Sequence, residues 1–465
     1  MHPAAASSLM NNHRLCASLK FCSRDNTDGD PGMEKNTRNS NRVWYLSVDN
    51  WFPKAEELCK YLWPTAQLHS SSIRYLGAGS SNKVFGLSID EENGIDQNYI
   101  LRIPANEQEI PQTVAILNYL NASTTLKIPN VINWDKSRDN PLQYGYIIMS
   151  RLPGNCLEDV WNDLTHKNRL QLAQQLAQIY LDIETNVNDV AGLIRVHEED
   201  FHHGSNDLND LMFIEAFVPP GWPSTGAPLD FTNTDEGQIL LDRAQQGPAK
   251  LSVSEIMLGL FKYYIYQAQG DLASRPEIVE NYLSPCQDIM EGMVQANVFK
   301  SHDNICLHHV DLLPRNIMID FDSHGDLAIT GVVDWDTTLF APRFVNRVLP
   351  RWLWQKLQIN ELGEPIDSSS LSDHNSDQHH EFEALDIEKT DPFTEKGAEI
   401  REVFECAVGK DWMRDATNPH FPLARKLIQF SLRPSILKKD EAEVKEWVSH
   451  WEKVKNRNQS DALTP

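Results

Sequence analysis

Apolar and polar positions change their period along the chain, and the change marks two regions. Between residues 73 and 150 the apolar residues fall in short runs separated by turn formers. Ile73 to Phe85 is broken at Gly77-Ala78-Gly79-Ser80-Ser81, Tyr99 to Pro104 is compact, and Tyr144 to Met149 runs into Ser150-Arg151-Leu152-Pro153-Gly154. Such runs, bounded by Gly, Pro, Asn and Ser, predict strands and turns. Beyond residue 155 the period is helical. In Lys167 to Thr185, Leu172, Leu176, Ile179, Tyr180 and Ile183 share one face and Gln and Asp the other; Leu251 to Ala268 carries Ile256, Leu260, Tyr263 and Tyr264 on one side. Glu255 and Lys262 interrupt that second run, which predicts a core helix and no membrane span. Pro276 suits the first turn of the next helix. Near the end, Lys438 to Lys455 places Val444, Trp447, Val448 and Trp451 on one face. Its mixture of Lys and Glu favours docking on the helical region over the rival reading, membrane attachment.

The strand pattern returns once, where the chemistry is densest. Asn316 to Phe321 is a short apolar run, Asp322-Ser323-His324-Gly325-Asp326 a turn cluster, and Leu327 to Val333 again apolar and β-branched. A hairpin follows, with Asp311 and Asn316 before it and Asp334 after it, so that both strand ends face one cleft. An Asp beside an attacking hydroxyl accepts its proton, while an Asn amide oxygen and a second carboxylate are hard oxygen ligands for Mg²⁺ on nucleotide phosphates. That order and spacing are those of a kinase-type phosphotransfer site.

The stretch His309-Val310-Asp311-Leu312-Leu313-Pro314-Arg315-Asn316, followed by Val332-Val333-Asp334-Trp335-Asp336, resembles the aminoglycoside phosphotransferase family, in the fungal-type branch of that protein-kinase-like superfamily. The resemblance covers roughly residues 70 to 360. It implies an α+β, bilobal protein-kinase-like fold, with a small antiparallel-sheet lobe, a larger mainly helical lobe, and ATP and Mg²⁺ between them. It also implies that Asp311 is the catalytic base, that His309 braces the catalytic loop, and that Asn316 and Asp334 are the metal ligands. Asp336 is a rival for metal or substrate, or a cap of the next turn.

The remaining parts match the family less closely. Gly77, Gly79 and Val84 fall where its glycine turn covers the phosphates, with Ser80 and Ser81 inside the turn, but Asn82 holds the third Gly position. An ordinary hairpin turn is the bland reading of Gly-x-Gly. Arg102 stands where the family has a phosphate-touching Lys, and Thr113 aligns with the Glu that pairs with that Lys. Glu107 and Glu109 are candidate substitute partners; a surface cation is the other reading of Arg102. Backbone groups from Met149 to Leu152 would bond an adenine edge if the segment is the hinge between lobes, and a buried strand ending in a loop is equally compatible. The Pro-rich stretch from Phe213 to Lys250 places Phe217, Trp222 and Asp230 beside an acceptor site, or merely over the core.

Composition narrows the partners. A chain of 465 residues that is 41% apolar has material for two lobes sharing a cleft. The boundaries expected are 1–42 as a tail or presequence, 43–152 as the nucleotide-binding lobe, and 153–465 as the large lobe with an acidic insertion near 364–395. The net charge of −24 weighs against nucleic acid, whose phosphates favour Lys- and Arg-rich faces. Seven Cys without a C-x-x-C pair suit free thiols in a reducing compartment. The first 24 residues hold Arg14, Lys20 and Arg24 and no acid, a composition shared by mitochondrial presequences and ordinary tails. Cytoplasm and mitochondrion are therefore both expected settings. Two functions compete: a small-molecule phosphotransferase acting on a hydroxyl acceptor, and a pseudokinase-like nucleotide- or partner-binding protein, which the Arg102 and Thr113 departures favour.

Overall fold

The computed structural model describes residues 47–66, 68–69, 71–78, 82–90, 96–196, 212–216, 252, 254–255, 258, 261, 277, 279–299, 304–336, 338–355, 394–431 and 440–461. The possible presequence, Gly79, Ser80, Ser81, Phe217, Trp222, Asp230, most of the helix expected over Leu251 to Ala268, and nearly all of the acidic insertion lie outside them.

The first sheet is antiparallel, in the order β1-β2-β3-β5-β4, from β1 (Ile73–Ala78), β2 (Asn82–Asp90), β3 (Asp96–Pro104), β4 (Val131–Asp135) and β5 (Tyr146–Ser150). Both of its faces are covered, and the period of two divides the side chains between them. From β5, Tyr146 and Ile148 join a core with Trp51, Ala55 and Leu58 of helix α1 (Val48–Leu62). Ile147 and Met149 point the other way, into a core with Val114, Leu117 and Leu120 of helix α2 (Ile110–Ser123). On β3 the same alternation puts Leu101 and Ile103 in the first core and Ile100 against the second, so Arg102 shares the inward face with Ile100. This core is continuous with the helical part of the chain through Leu172, Leu176 and Ile183 of α3 (His166–Glu184). A Thr165–Asn168 capping box starts α3.

After β5 the chain passes Gly154 and forms the short β6 (Asn155–Cys156), which pairs with β11 (Ile317–Phe321); β11 pairs with β12 (Leu327–Val332) as the expected hairpin. Gly154 is required at this junction. Its φ is +84°, and a Cβ there would collide with the Ile319 carbonyl. A third sheet, in the order β7-β10-β13-β8-β9, joins β7 (Val187–Asn188), β8 (Gly192–Val196), β9 (Met212–Ala216), β10 (Ile305–His308) and β13 (Leu339–Pro342).

Helices α4 (Ser284–Gln295), α5 (Glu395–Val408), α6 (Lys410–Ala416), α7 (Phe421–Ser431) and α8 (Asp440–Asp461) complete the larger part. Helix α8 docks as its amphipathic pattern predicts, with Val444, Trp447 and Trp451 in a core shared with α4 and α7. Val448 departs from the expectation. It is exposed, and Val454 is buried in its stead, because the apolar stripe advances by three and four residues and 448 falls off it. A small antiparallel sheet followed by a larger part of helices, a hairpin sheet and a second five-stranded sheet is an α+β arrangement, as expected. No helix among the described residues is long and apolar enough to cross a membrane.

Candidate active site

Hairpin register brings three dispersed residues together. Ile317 pairs with Val332, and the Val333 N–H donates to the Asn316 carbonyl at 2.9 Å, so Asn316 and Asp334 leave the open end of the hairpin side by side. Asp311 lies on the loop before it. Asn316 Nδ2 donates to the Asp311 carbonyl at 2.8 Å and to Asp311 Oδ2 at 2.9 Å. Both partners are pure acceptors, which fixes the amide orientation and leaves Asn316 Oδ1 as the oxygen able to meet a cation.

His309 holds the loop from beneath. Its Nδ1 accepts the Asp311 N–H at 3.1 Å and its Nε2 lies 3.0 Å from the Val333 carbonyl, so the proton must sit on Nε2. The buried ring lies edge-on to Trp335, with centroids 4.5 Å apart. Burial drives the imidazole pKa down, which keeps this neutral tautomer. Trp335 Nε1 in turn donates to the Val332 carbonyl at 2.9 Å. One imidazole therefore links the backbone of the Asp311 loop to the residue preceding Asp334.

Asp334 adopts φ of +65°, uncommon for a residue with a side chain. It is open to solvent yet closely surrounded by protein. That surrounding, and then the charge of Asp336, push its carboxyl up to about 6, against the opposing pull of Arg102. Three carboxylates, Asp311, Asp334 and Asp336, here face two guanidiniums, Arg102 and Arg315. Arg315 Nη2 reaches Asp311 Oδ1 and Oδ2 at 2.7 and 2.8 Å. Such a surplus of negative charge, with an amide oxygen available beside it, fits a divalent cation at Asn316 and Asp334. Among the described residues no group of three or more His, Cys, Asp or Glu is arranged to hold a metal alone. The ion's shell would need phosphate and water oxygens.

Residues 72–217 match the sequence model of a family described as the phosphotransferase enzyme family, APH. That match covers about a third of the chain and makes this part of it similar to phosphotransferases. A subtelomeric hrmA-associated cluster protein of Aspergillus fumigatus is 21% identical over 355 residues, and the alignment spans 66% of this chain and 66% of that relative's length. Altered inheritance of mitochondria protein 9 of Scheffersomyces stipitis, a mitochondrial protein by name, is 29% identical over 118 residues, 22% of this chain and 18% of that one. Among solved structures, the GDP complex of wild-type aminoglycoside 2'-phosphotransferase-IIIa has 14% identity and a TM-score of 0.37, over 87% of this chain and 98% of that one. A GDP and kanamycin complex of an APH(2") enzyme gives 13% and 0.36, over 88% and 98%. Scores at that level carry no argument, and the fold rests on the topology above.

In the first sheet Gly77 of β1 pairs with Val84 of β2. Arg102 is no surface cation. Its side chain is 13% exposed, and it forms a two-pronged pair with Asp336 while Nε donates to Asn82 Oδ1 at 2.8 Å. This corrects two expectations. Glu107 is taken by Arg138 and by the Gly145 N–H, and Glu109 accepts from Asn106, so neither is the direct partner of Arg102, although Glu109 adds to the attraction on it. Asp336 faces Arg102, and among the described residues that pair is its hydrogen-bonded contact. Thr113 is buried in α2 and supplies no carboxylate.

The hinge expectation narrows. The N–H groups of Ser150 and Arg151 bond the carbonyls of Asn130 and Asn98, so those two donors already have protein partners. Met149 lies within β5, paired to both β3 and β4, and Leu152 packs over Gly331 of β12. Arg315, which bonds both oxygens of Asp311, is the neighbour that pattern reading passed over. Its spacing of four residues from Asp311 was the available signal.

Proposed function

We propose that the protein transfers the γ-phosphoryl group of ATP to a hydroxyl of a small molecule, with Mg²⁺. The similarity of residues 72–217 to the phosphotransferase family model supports phosphotransfer, and the convergence of Asp311, Asn316 and Asp334 at one end of the β11–β12 hairpin carries the rest. Asp311, kept in place by Arg315 and Asn316, accepts the proton of the acceptor hydroxyl. The freed oxygen bonds to the γ-phosphorus as the bond to the β,γ-bridging oxygen breaks, and ADP leaves. Asn316 Oδ1 and Asp334 would hold Mg²⁺, which supplies neutralisation of the phosphate charge. His309 braces the loop and does not exchange protons with substrate. Gly77, Gly79, Ser80, Ser81 and Val84 belong to the turn over the phosphates, Arg102 faces them from β3, and Met149 to Leu152 border the adenine, with Leu152 as the residue left to donate.

In this proposal 43–152 is the nucleotide lobe and 153–465 the acceptor lobe, in a protein of the cytoplasm or the mitochondrion. The pseudokinase alternative drew on Arg102 and Thr113, and the Arg102–Asp336 pair weakens it by giving the cation a fixed place. The deciding experiment supplies Mg-ATP, and Mg-GTP in parallel, with amino sugars, choline-like alcohols and hydroxylated metabolites, and follows nucleoside diphosphate release. We expect release that depends on an acceptor and falls on the order of 10²- to 10⁴-fold in Asp311→Ala. Tight nucleotide binding with no turnover that depends on Asp311 would overturn the proposal in favour of the pseudokinase.

A further inference from the structure

We propose that Asp336 is a positioning residue for nucleotide binding: it holds Arg102 as the phosphate-facing cation, a task for which α2 offers only Thr113. The inference rests on the phosphotransferase reading and adds the partner and the reason for arginine at this strand position.

The donor count of the guanidinium is the starting point. Arginine has five N–H groups in one plane. Nε donates to Asn82 Oδ1 at 2.8 Å, Nη1 to Asp336 Oδ1 at 2.9 Å, and Nη2 to Asp336 Oδ2. Three donors are engaged, so one N–H remains on each terminal nitrogen. The group is anchored at two ends and still has one N–H on each flank with which to meet an oxyanion. A lysine ammonium gathers its three donors on one nitrogen and could not satisfy Asn82, both oxygens of Asp336 and a phosphate together.

The positions of the anchors give the arrangement its meaning. Asn82 is the first residue of β2, directly after the glycine turn, and Asp336 lies two residues beyond Asp334. A single guanidinium thus ties the end of the turn proposed to cover the phosphates to the loop proposed to hold their metal ion. This explains why Asn, and no third Gly, stands at 82: its side chain is an acceptor that orients Nε. It also separates the two acids of the Asp334-Trp335-Asp336 run. Both oxygens of Asp336 are engaged by Arg102, whereas Asp334 follows directly on Val333, whose N–H bonds the Asn316 carbonyl.

The test uses the full chain and a fluorescent ATP analogue titrated with and without Mg²⁺, for wild type, Asp334→Asn, Asp336→Asn, Asp336→Glu, Arg102→Lys, Arg102→Ala and the double variant Arg102→Ala/Asp336→Asn. Asp336→Asn and Arg102→Ala should each weaken nucleotide binding by roughly tenfold or more. The double variant should bind no worse than Arg102→Ala, because Asp336 acts through Arg102. The Mg²⁺ concentration at half-saturation should stay unchanged in Asp336→Asn and rise in Asp334→Asn. Arg102→Lys should behave more like Arg102→Ala than like wild type.

Additive losses in the double variant, or a raised Mg²⁺ midpoint in Asp336→Asn, would overturn the proposal and make Asp336 a direct ligand of nucleotide or metal. Wild-type affinity in Asp336→Asn would overturn it outright. If that variant does not fold, Asp336→Glu carries the test: the charge stays, the two-pronged register is lost, and undiminished affinity refutes the positioning role. Absence of nucleotide binding by the wild type is a different result, since it removes the phosphotransferase reading itself.

Discussion

Replacing His309 by Ala removes the brace between the two halves of the candidate site, and the structure sets the size of the effect. The Asp311 N–H loses its acceptor at 3.1 Å and the Val333 carbonyl loses its donor at 3.0 Å. Each buried group left without a partner costs about 1–3 kcal/mol. Loss of the edge-on contact with Trp335 removes about 0.5–1.5 kcal/mol more. Water entering the vacated space can rebond one or both groups, which moves the total toward the lower end, about 3 kcal/mol. That is a large part of the ~5–15 kcal/mol typical of a folded domain. Urea-induced unfolding followed by tryptophan fluorescence measures it, and nucleotide titration at low urea measures the consequence for the site. We expect a variant destabilised by roughly 3 kcal/mol that binds Mg-nucleotide more weakly. A loss below about 1 kcal/mol with unchanged binding would refute the reasoning, because the Asp311–Arg315 and Asp311–Asn316 bonds would then suffice to order the loop.

Three further outcomes are expected. Arg347 is buried between Glu184 at 2.7 Å and Asp415 at 2.8 Å, so Arg347→Ala should cost about 3 kcal/mol in urea unfolding by leaving these buried carboxylates to the more distant Arg343, at 3.6 Å, and Arg414, at 3.4 Å. The triple variant Arg347→Met/Glu184→Gln/Asp415→Asn should lose distinctly less; equal losses would show that packing, and no charge, sets the cost. His308 is pushed down to about 4 by burial, against its hydrogen bond with Asn346, and His309 and Arg425 add to the depression. The unfolded chain therefore takes up this proton first as acid is added, and its share of stability, present above about pH 6.5, is lost as pH falls toward 4. The loss is about 2–3 kcal/mol, the lower figure allowing for the solvent that reaches a half-buried ring, and a His308→Gln variant with the same pH slope as wild type would contradict it. Gly154→Ala should lower the melting temperature and impair nucleotide binding together, because the positive φ and the Ile319 carbonyl both oppose a Cβ where the small sheet meets β6. An unaltered melting temperature would refute that account.

Legibility in the sequence followed the distance over which each interaction acts. The β11–β12 hairpin and the meeting of the three candidate residues at its end were readable because Asp311, Asn316 and Asp334 are near in sequence and one short hairpin joins them. The alternation in β5 and the helical period of α3 were readable for the same reason, since local backbone geometry converts spacing directly into a face. Val448 shows the limit of that rule: a face drawn a little too wide included one residue that the docking angle of α8 leaves exposed.

The sequence by itself determined which residues are candidates for the chemistry and on which local element each resides, because periods, turns and short connections are near-neighbour physics. Only the tertiary structure decided who pairs with whom. Arg102 and Asp336 are 234 residues apart, and Arg347 reaches Glu184 across 163 residues and Asp415 across 68. A nearer carboxylate, Glu107, was available to Arg102 in sequence and went to Arg138 instead. A charge takes the partner that packing brings within hydrogen-bond reach, and that choice is made only when the sheet, the helices and the hairpin have closed on one another.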